Sequence, residues 1–268
     1  MSDEPRFYRT ELLIGPEALK TLGEAHVAVF GMGGVGSYAV EGLVRAGVGR
    51  LTLVDFDTIG RTNLNRQIMA LESTIGMPKV DAMANRVLDI NPGCLVERHP
   101  VFFDREQIAR LLGRPYSLVI DAIDSFNPKI TLMVETVKAG LPLLSAMGAA
   151  AKIDPTRVTV SDIGDTTICP FARRIRKRLR SFGIERGITV VSSTEPPIMP
   201  YHPDEIPGER HEVTLARGRP RMIQGSIGYM TAIFGMMLAG VAVQRLTGLT
   251  TASQTPRGAG KPLPSTGE

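Results

Sequence analysis

The 268-residue sequence predicts an α/β fold, a mostly parallel sheet with helices on both faces. Three observations carry this expectation. Short apolar runs of strand length alternate with segments of helical spacing. A glycine-rich loop stands between the first such run and the first such helix. The composition is 43% hydrophobic, enough to fill a sizeable core.

The elements follow in order. His26-Val-Ala-Val-Phe30 is the first strand, and a helical pattern runs from Ser37 to Ala46. Arg50-Leu-Thr-Leu-Val-Asp55 is the second strand. Lys79 to Ile90 sets Val80, Met83, Ala84, Val87 and Leu88 at helical spacing, and Asn91-Pro92 ends it. Ser117-Leu-Val-Ile-Asp121 reads as a buried strand, with a helix starting near Pro128. Leu141 to Ser145 and Arg157 to Ser161 add strands. From Gly164 the alternation weakens into a basic helix, a strand at Ile188–Ser192, a Pro-rich loop at Pro196–Pro207 and a charge-free segment. No internal repeat is visible. The expected organisation is one folded unit over 1–249, with a nucleotide-binding half over about 1–150 and a substrate portion over about 151–249. Residues 250–268, rich in Thr, Ser, Gly and Pro, are expected to be a disordered tail.

The polar N-terminus does not resemble a signal peptide. Met222 to Gln244 carries no charge and is long enough to span a membrane. Its four glycines, Gln224, Ser226 and Thr231 suit a buried helix at a subunit interface, so a membrane is not the expected partner and the cytoplasm is the expected location. Two cysteines, Cys94 and Cys169, exclude a disulfide framework and a four-thiolate zinc site. The net charge of +4 is unevenly spread. Residues 1–163 balance at −2, residues 164–222 at +4 and residues 223–268 at +2, so an anionic macromolecule belongs with the second half.

Gly31-Met-Gly33-Gly34-Val-Gly36 follows a strand and opens a helix, and Asp55 lies 19 residues beyond Gly36 at the end of the next strand. This is the Rossmann-like dinucleotide fingerprint in its proper context. Glycines let backbone N–H groups approach a phosphate, the helix N-terminus adds its dipole, and Asp55 is placed to accept from ribose hydroxyls. The loop alone does not separate a nicotinamide cofactor from ATP. Arg66 and Lys79 favour ATP, because departing pyrophosphate needs cations and hydride transfer does not. Asp124 sits just past a strand's carboxyl end, where a carboxylate beside a triphosphate suggests magnesium. Taken singly, Arg66 and Lys79 also read as solvated charges and Asp124 as a helix N-cap.

These residues resemble the ubiquitin-activating-enzyme-like superfamily of ATP-dependent carboxylate adenylyltransferases. The resemblance rests on Gly31-x-Gly-Gly-Val-Gly36, Leu53-Val-Asp55-Phe-Asp57, Asn63-Leu-Asn-Arg66-Gln67, Gly76-x-Pro-Lys79 and Asp121-x-x-Asp124, over residues 6 to about 150. It implies that Asp55 binds ribose, that Asn63, Arg66 and Lys79 bind phosphates, that Asp57 belongs to the same site, and that Asp124 binds magnesium. It also implies a homodimer in which Arg9 reaches the neighbouring subunit's triphosphate. Within the superfamily the chain looks like the tRNA threonylcarbamoyladenosine dehydratases. Ser145-Ala-Met-Gly148, Asp154-Pro-Thr-Arg-Val158, Cys169-Pro-x-Ala-Arg173 and Val191-x-Ser-Ser-Thr-Glu195 carry that closer likeness, to about residue 247. The implied reaction is ATP-dependent cyclisation of threonylcarbamoyladenosine in tRNA through an acyl-adenylate of its carboxylate. A sulfur-transfer or redox protein is a further candidate partner.

Arg173-Arg-Ile-Arg-Lys-Arg-Leu-Arg180 puts six cations in eight residues, with Ile175 and Leu179 as a narrow apolar stripe. Arg173, Arg174, Arg176, Lys177, Arg178 and Arg180 read as a track for tRNA phosphates, against the plainer reading of a solvated helix face. The run has no interleaved aromatics, so base stacking must come from elsewhere. His202 and His211, in the Pro-rich loop, are weaker metal candidates than they are surface residues. Three other functions stand beside the main reading. An adenylyltransferase for a ubiquitin-like sulfur carrier lacks the expected cysteine quartet. A nicotinamide oxidoreductase does not need Arg66, Lys79 and Asp124. A non-catalytic tRNA binder has no use for intact phosphate and metal residues.

Overall fold

The computed structural model describes residues 5–199 and 224–249. His202, His211, most of the Pro-rich loop after Met199, Met222 and the tail 250–268 lie outside the described residues. Seven strands form one sheet in the order β3-β2-β1-β4-β5-β7-β6. They are β1 (His26–Phe30), β2 (Arg50–Val54), β3 (Leu95–His99), β4 (Leu118–Asp121), β5 (Leu143–Ala146), β6 (Val158–Asp162) and β7 (Thr189–Ser193). All neighbours are parallel except β6, which pairs antiparallel with β7 at one edge. The expectation of a mostly parallel sheet therefore holds.

Successive side chains on the strands feed two separate cores, as period-two alternation requires. Val27 and Val29 of β1 join Leu51 and Leu53 of β2 on one face. That face is covered by α3 (Gly34–Ala46), α4 (Lys79–Ile90) and α8 (Gly228–Thr247). Ala28, Phe30 and Val54 join the other face, under α5 (Arg105–Leu112), α6 (Phe126–Lys138) and α7 (Pro170–Arg180). Each cysteine is buried in one of these cores, Cys94 in the first and Cys169 in the second.

α8 holds most of the charge-free segment, starting later than its apolar run and ending past Arg245. It is long and apolar enough to cross a membrane by length and composition. In the fold one side of it, with Met230, Phe234, Leu238 and Ala242, joins the first core. Contact with α3 is backbone-close: a Cβ on Gly235 would stand 2.4 Å from Val35 O, and one on Gly42 would stand 2.6 Å from the Ala239 Cβ. Gly235 and Ala239 thus serve helix packing within the chain.

Four elements were not expected. α1 (Tyr8–Ile14) and α2 (Pro16–Glu24) precede the first strand. β3 is a partly exposed edge strand of mixed polarity, Leu-Val-Glu-Arg-His, with no apolar run to announce it. α5 did carry a signal, an acid followed three residues later by glutamine. Asp104 caps it by accepting the Gln107 N–H at 2.8 Å.

His26, at the start of β1, is buried with its Nε2 2.8 Å from Thr52 Oγ1 and its ring edge-on to Tyr116. Burial, with Arg50 and Arg114 nearby, lowers its pKa to about 4. The folded state therefore holds the neutral ring while the unfolded chain takes up a proton at its ordinary pKa. Stability from this group is complete above about pH 6.5 and is lost as pH falls toward 4, a loss on the order of 1–3 kcal/mol. Urea denaturation of wild type and His26→Gln across that window is expected to show a smaller fall in stability for the variant. Parallel curves would remove His26 from the account.

Candidate functional site

β1 ends at Phe30 and the chain turns at once into the glycine loop. Gly31 has φ +94°, and a Cβ there would lie 2.8 Å from Ala122 O, beyond the end of β4. A Cβ on Gly36 would fall 1.7 Å from Gly31 O. The loop therefore folds onto itself and against β4, and only glycine fits. Gly33 is the N-cap of α3 and has no side chain to cap it, while a Cβ at Gly33 would meet nothing within 4 Å. The first N–H groups of α3 are left facing open space beside the point where β1 and β4 diverge. That is where open α/β sheets bind phosphates.

Asp55 follows β2 and is buried. Its Oδ2 accepts the Met32 N–H at 2.6 Å, and its Oδ1 accepts the Asp57 N–H at 2.8 Å. Burial raises its pKa, while the Lys79 charge and the two N–H donors oppose that rise. Lys79 opens α4, is buried, and sets its Nζ 2.8 Å from Asp57 Oδ2. It is not an ordinary solvated cation: it is desolvated and tied to the two acids that end β2. Asn63, also buried, accepts the Gly60 N–H on its Oδ1 at 3.0 Å, which closes a single helical turn over Arg61–Asn63. Arg66 lies half-buried beyond that turn and donates to Thr62 O at 2.7 Å and Asn65 Oδ1 at 2.9 Å. A Cβ on Gly34 would reach Arg66 O at 3.1 Å, so this segment overhangs the start of α3. Thr231 of α8 donates to the same carbonyl at 3.3 Å. Beside it, Gln67 Oε1 is buried with no hydrogen-bond partner among the described residues.

Asp124 lies past β4, exposed, with Ser125 Oγ donating to it at 3.2 Å. The N-cap of α6 is Ser125, so Asp124 does not cap the helix. Beneath it is a buried cluster that sequence reasoning missed. Lys129 is 0% exposed, with its Nζ 2.7 Å from Asp121 Oδ2 and 2.8 Å from Ile123 O. Ser145 donates to Asp121 Oδ2 at 2.6 Å, and the Ile123 N–H donates to Oδ1 at 3.1 Å. Burial lowers the Lys129 amine, against the pull of Asp121 and Asp124. The cluster fixes the turn that presents Asp124. The sequence carries no signal for it, because the strand register alone places Asp121 opposite Ser145 on adjacent strands.

Arg9 sits on α1, away from these groups. Phe7 packs beside Gly47 at the far end of α3, and Arg6 donates to Ile90 O at the end of α4. The 13 residues of α3 separate that end from the glycine loop by about 20 Å. Arg9 is therefore not brought to its own subunit's loop.

On the opposite face, α7 begins at Pro170, and Ala172, Ile175 and Leu179 seat it in the second core. Arg173, Arg174, Lys177, Arg178 and Arg180 are exposed. Arg176 differs: its Nη1 donates to Thr166 O at 2.5 Å and to the Thr166 hydroxyl, so it pins the preceding turn. The aromatics absent from the run are supplied around it. The Arg174 guanidinium lies 4.8 Å from the Phe126 ring centre and that of Arg178 lies 5.1 Å from Phe182. Glu195 is buried and accepts the N–H groups of Ile153 and Asp154, while Lys152 donates to its carbonyl. That is a structural clamp at the end of β7.

No group of three His, Cys, Asp or Glu residues gathers as a metal cage among the described residues. Magnesium asks for less, commonly one or two carboxylates with the remaining ligands from substrate phosphates and water. Asp124 beside a phosphate cradle meets that requirement.

The chain matches the ThiF family over residues 8–260. It is 42% identical over 243 residues to the Bacillus subtilis (strain 168) tRNA threonylcarbamoyladenosine dehydratase, covering 90% of this chain and 94% of that one. The E. coli tRNA N6-threonylcarbamoyladenosine dehydratase in complex with ATP superposes with a TM-score of 0.79 at 36% identity, over 91% of this chain and 94% of that one. The same enzyme in complex with AMP gives a TM-score of 0.80 over the same shares.

The buried Asp121–Lys129 pair generates a direct test. Lys129→Met leaves the carboxylate buried without its partner and is expected to destabilise the fold by about 3–5 kcal/mol. Chemical denaturation measures this, and a loss under about 1 kcal/mol would show that Asp121 relaxes without the amine.

Proposed function

The chain belongs to the ThiF family, and from that membership and the geometry of its crevice we propose that it dehydrates threonylcarbamoyladenosine in tRNA, using ATP. It is an ATP-dependent tRNA-modifying enzyme that works by adenylating a carboxylate. The observation that carries the substrate reading is the continuity of two surfaces. Phe126, which carries Arg174 of the basic helix, stands two residues from Asp124 at the nucleotide crevice.

The residues divide the chemistry. The glycine loop, Gly31 to Gly36, cradles phosphate with the N–H groups at the start of α3. Asp55, already ordered by two N–H donors, receives the ribose hydroxyls on its remaining lone pairs. Lys79, Asn63 and Arg66 face the triphosphate, and Arg66 exchanges its local carbonyl for a phosphate oxygen. Asp57 holds Lys79 in place. Asp124 is the magnesium ligand, and magnesium when bound neutralises charge on the phosphates. The substrate carboxylate oxygen bonds to the α-phosphorus and the bond to pyrophosphate breaks. The nitrogen of the same side chain then attacks the acyl carbon, AMP leaves with the carboxyl oxygen, and the nitrogen gives up its proton. The net change on the nucleoside is the loss of one water, and no enzyme nucleophile is required.

A homodimer completes the site on this reading. Arg9 lies at the wrong end of α3 to serve its own triphosphate, and α1 presents Leu12 and Leu13 at 65% and 75% exposure. Arg9 then belongs to the neighbouring subunit's site. Residues 1–150 act as the nucleotide half and 151–249 as the tRNA portion, in the cytoplasm. The alternative, activation of a sulfur-carrier protein, finds little support. Both cysteines are buried, burial pushes Cys94 up to about 11, and the likeness to the dehydratases runs through nine-tenths of the chain. The same burial withholds support from a thiol-dependent sulfur-transfer or redox partner.

Protein, ATP, magnesium and threonylcarbamoyladenosine-bearing tRNA are expected to yield, after nuclease digestion, a nucleoside lighter by one water. Unchanged nucleoside mass would refute the function. Asp124→Ala is expected to abolish this activity without shifting the melting temperature, and full activity would remove the magnesium assignment. Replacing Arg173, Lys177 and Arg180 by Glu is expected to weaken tRNA binding by about a hundredfold or more and to flatten its salt dependence, with ATP binding unchanged. Wild-type tRNA affinity in that variant would return α7 to a solvated face.

A further inference from the structure

Not one of the six cations on α7 has an ion-pair partner among the described residues, although 13 ion pairs form elsewhere. Uncompensated charge of one sign favours an anionic occupant. The surface between α6 and α7 is also concave. A groove of about 490 Å³ is lined by Phe126, Arg174, Lys177, Arg178 and Ser181. It is an open surface depression rather than an enclosed cavity. Phe126 is half-buried, braced by Phe171 at 6.5 Å between ring centres, and the Arg174 guanidinium lies over its ring at 4.8 Å from the centre. An aromatic ring paired with a planar cation, inside a basic groove, has the chemistry of a stacking platform for an unpaired base. The base inserts against the ring, and Lys177 and Arg178 meet the flanking phosphates. A purely electrostatic track would need neither the groove nor the ring.

We propose that Phe126 and Arg174 form a platform on which an unpaired base of the substrate RNA stacks. This rests on the tRNA reading above. Phe126 follows Asp124 by two residues, a chain length of at most about 7 Å. A base held there is beside the carboxylate assigned to the reaction centre. The platform thus couples capture of a single-stranded segment to delivery of its modified nucleotide. It also supplies a discrimination that phosphate contacts lack, since paired bases have no free face to offer.

The test compares fluorescently labelled single-stranded RNA with an RNA duplex of equal length, binding to the full chain over a range of salt. Phe126→Leu keeps apolar packing but cannot stack. It is expected to weaken single-strand binding about tenfold and to leave duplex affinity and the salt slope unchanged. Unchanged single-strand affinity, or equal loss for both RNAs, overturns the platform. The Arg173, Lys177 and Arg180 charge reversal separates the two readings. If it lowers affinity for both RNAs while Phe126→Leu has no effect, the tRNA track stands and the platform falls. If it has no effect, the track itself falls. A second variant guards against a leucine that disturbs folding. The chain has no tryptophan, so Phe126→Trp places a sole indole at the platform. Its fluorescence is expected to be quenched by the single strand and not by the duplex. Equal response to both overturns the proposal.

Discussion

No side chain fits at Gly31 or Gly36, where β1 hands over to α3, and the site is built around that exclusion. The carbonyl of Gly31 occupies the space a Cβ on Gly36 would need, and the Ala122 carbonyl occupies that of Gly31. Backbone therefore packs on backbone between two strands that diverge at this point. The consequences spread outward. α3 starts uncapped, with its N–H groups available. Met32 is drawn under Asp55, so the acid that ends β2 is oriented before any ligand arrives. Close approach continues along α3, where Gly42 and Gly235 let α8 lie against it. α8 in turn braces the Arg66 segment through Thr231. A methyl group on Gly31 or Gly36 would force this backbone contact apart.

Charge is used in two opposite ways in this fold. Lys79 and Lys129 are buried, each within hydrogen-bond distance of a carboxylate. Such pairs add little net stability, because desolvation offsets attraction. What they provide is placement: Lys79 held at the crevice by Asp57, and the Asp124 turn held by Lys129 through Ile123 O. The cations of α7 stand exposed and without an ion-pair partner among the described residues, apart from Arg176, which is half-buried and turned back onto Thr166. The overall charge of +4 conceals this division.

Much of this was legible in the sequence, because the strong signals were backbone signals. The glycine spacing, the apolar strand runs and the acid after β2 each have a local physical cause. β3 was illegible because an exposed edge strand needs no apolar alternation. The Asp121–Lys129–Ser145 cluster was illegible for another reason. It joins β4, α6 and β5, and only the strand register brings Asp121 opposite Ser145. The six-cation run was legible as charge but not as direction. Which cation turns inward depends on Thr166, and which aromatic accompanies the helix depends on the packing of α6 against α7.

The separation of buried from exposed cations bears on how the proposed reaction responds to its surroundings. Exposed charges are screened over a Debye length of roughly 8 Å at physiological ionic strength, whereas a buried amine such as Lys79 is screened much less. On the proposed reading, salt would act on RNA capture by α7 far more than on triphosphate binding at the crevice. The proposed stacking on Phe126 would be less sensitive still, because it is not a charge–charge contact. A substrate held by both keeps its base in register while its phosphates exchange with counterions. Since the substrate's own nitrogen closes the ring, holding that register is the main demand on the protein once the carboxylate is activated. Two buried cysteines are compatible with such a division of labour.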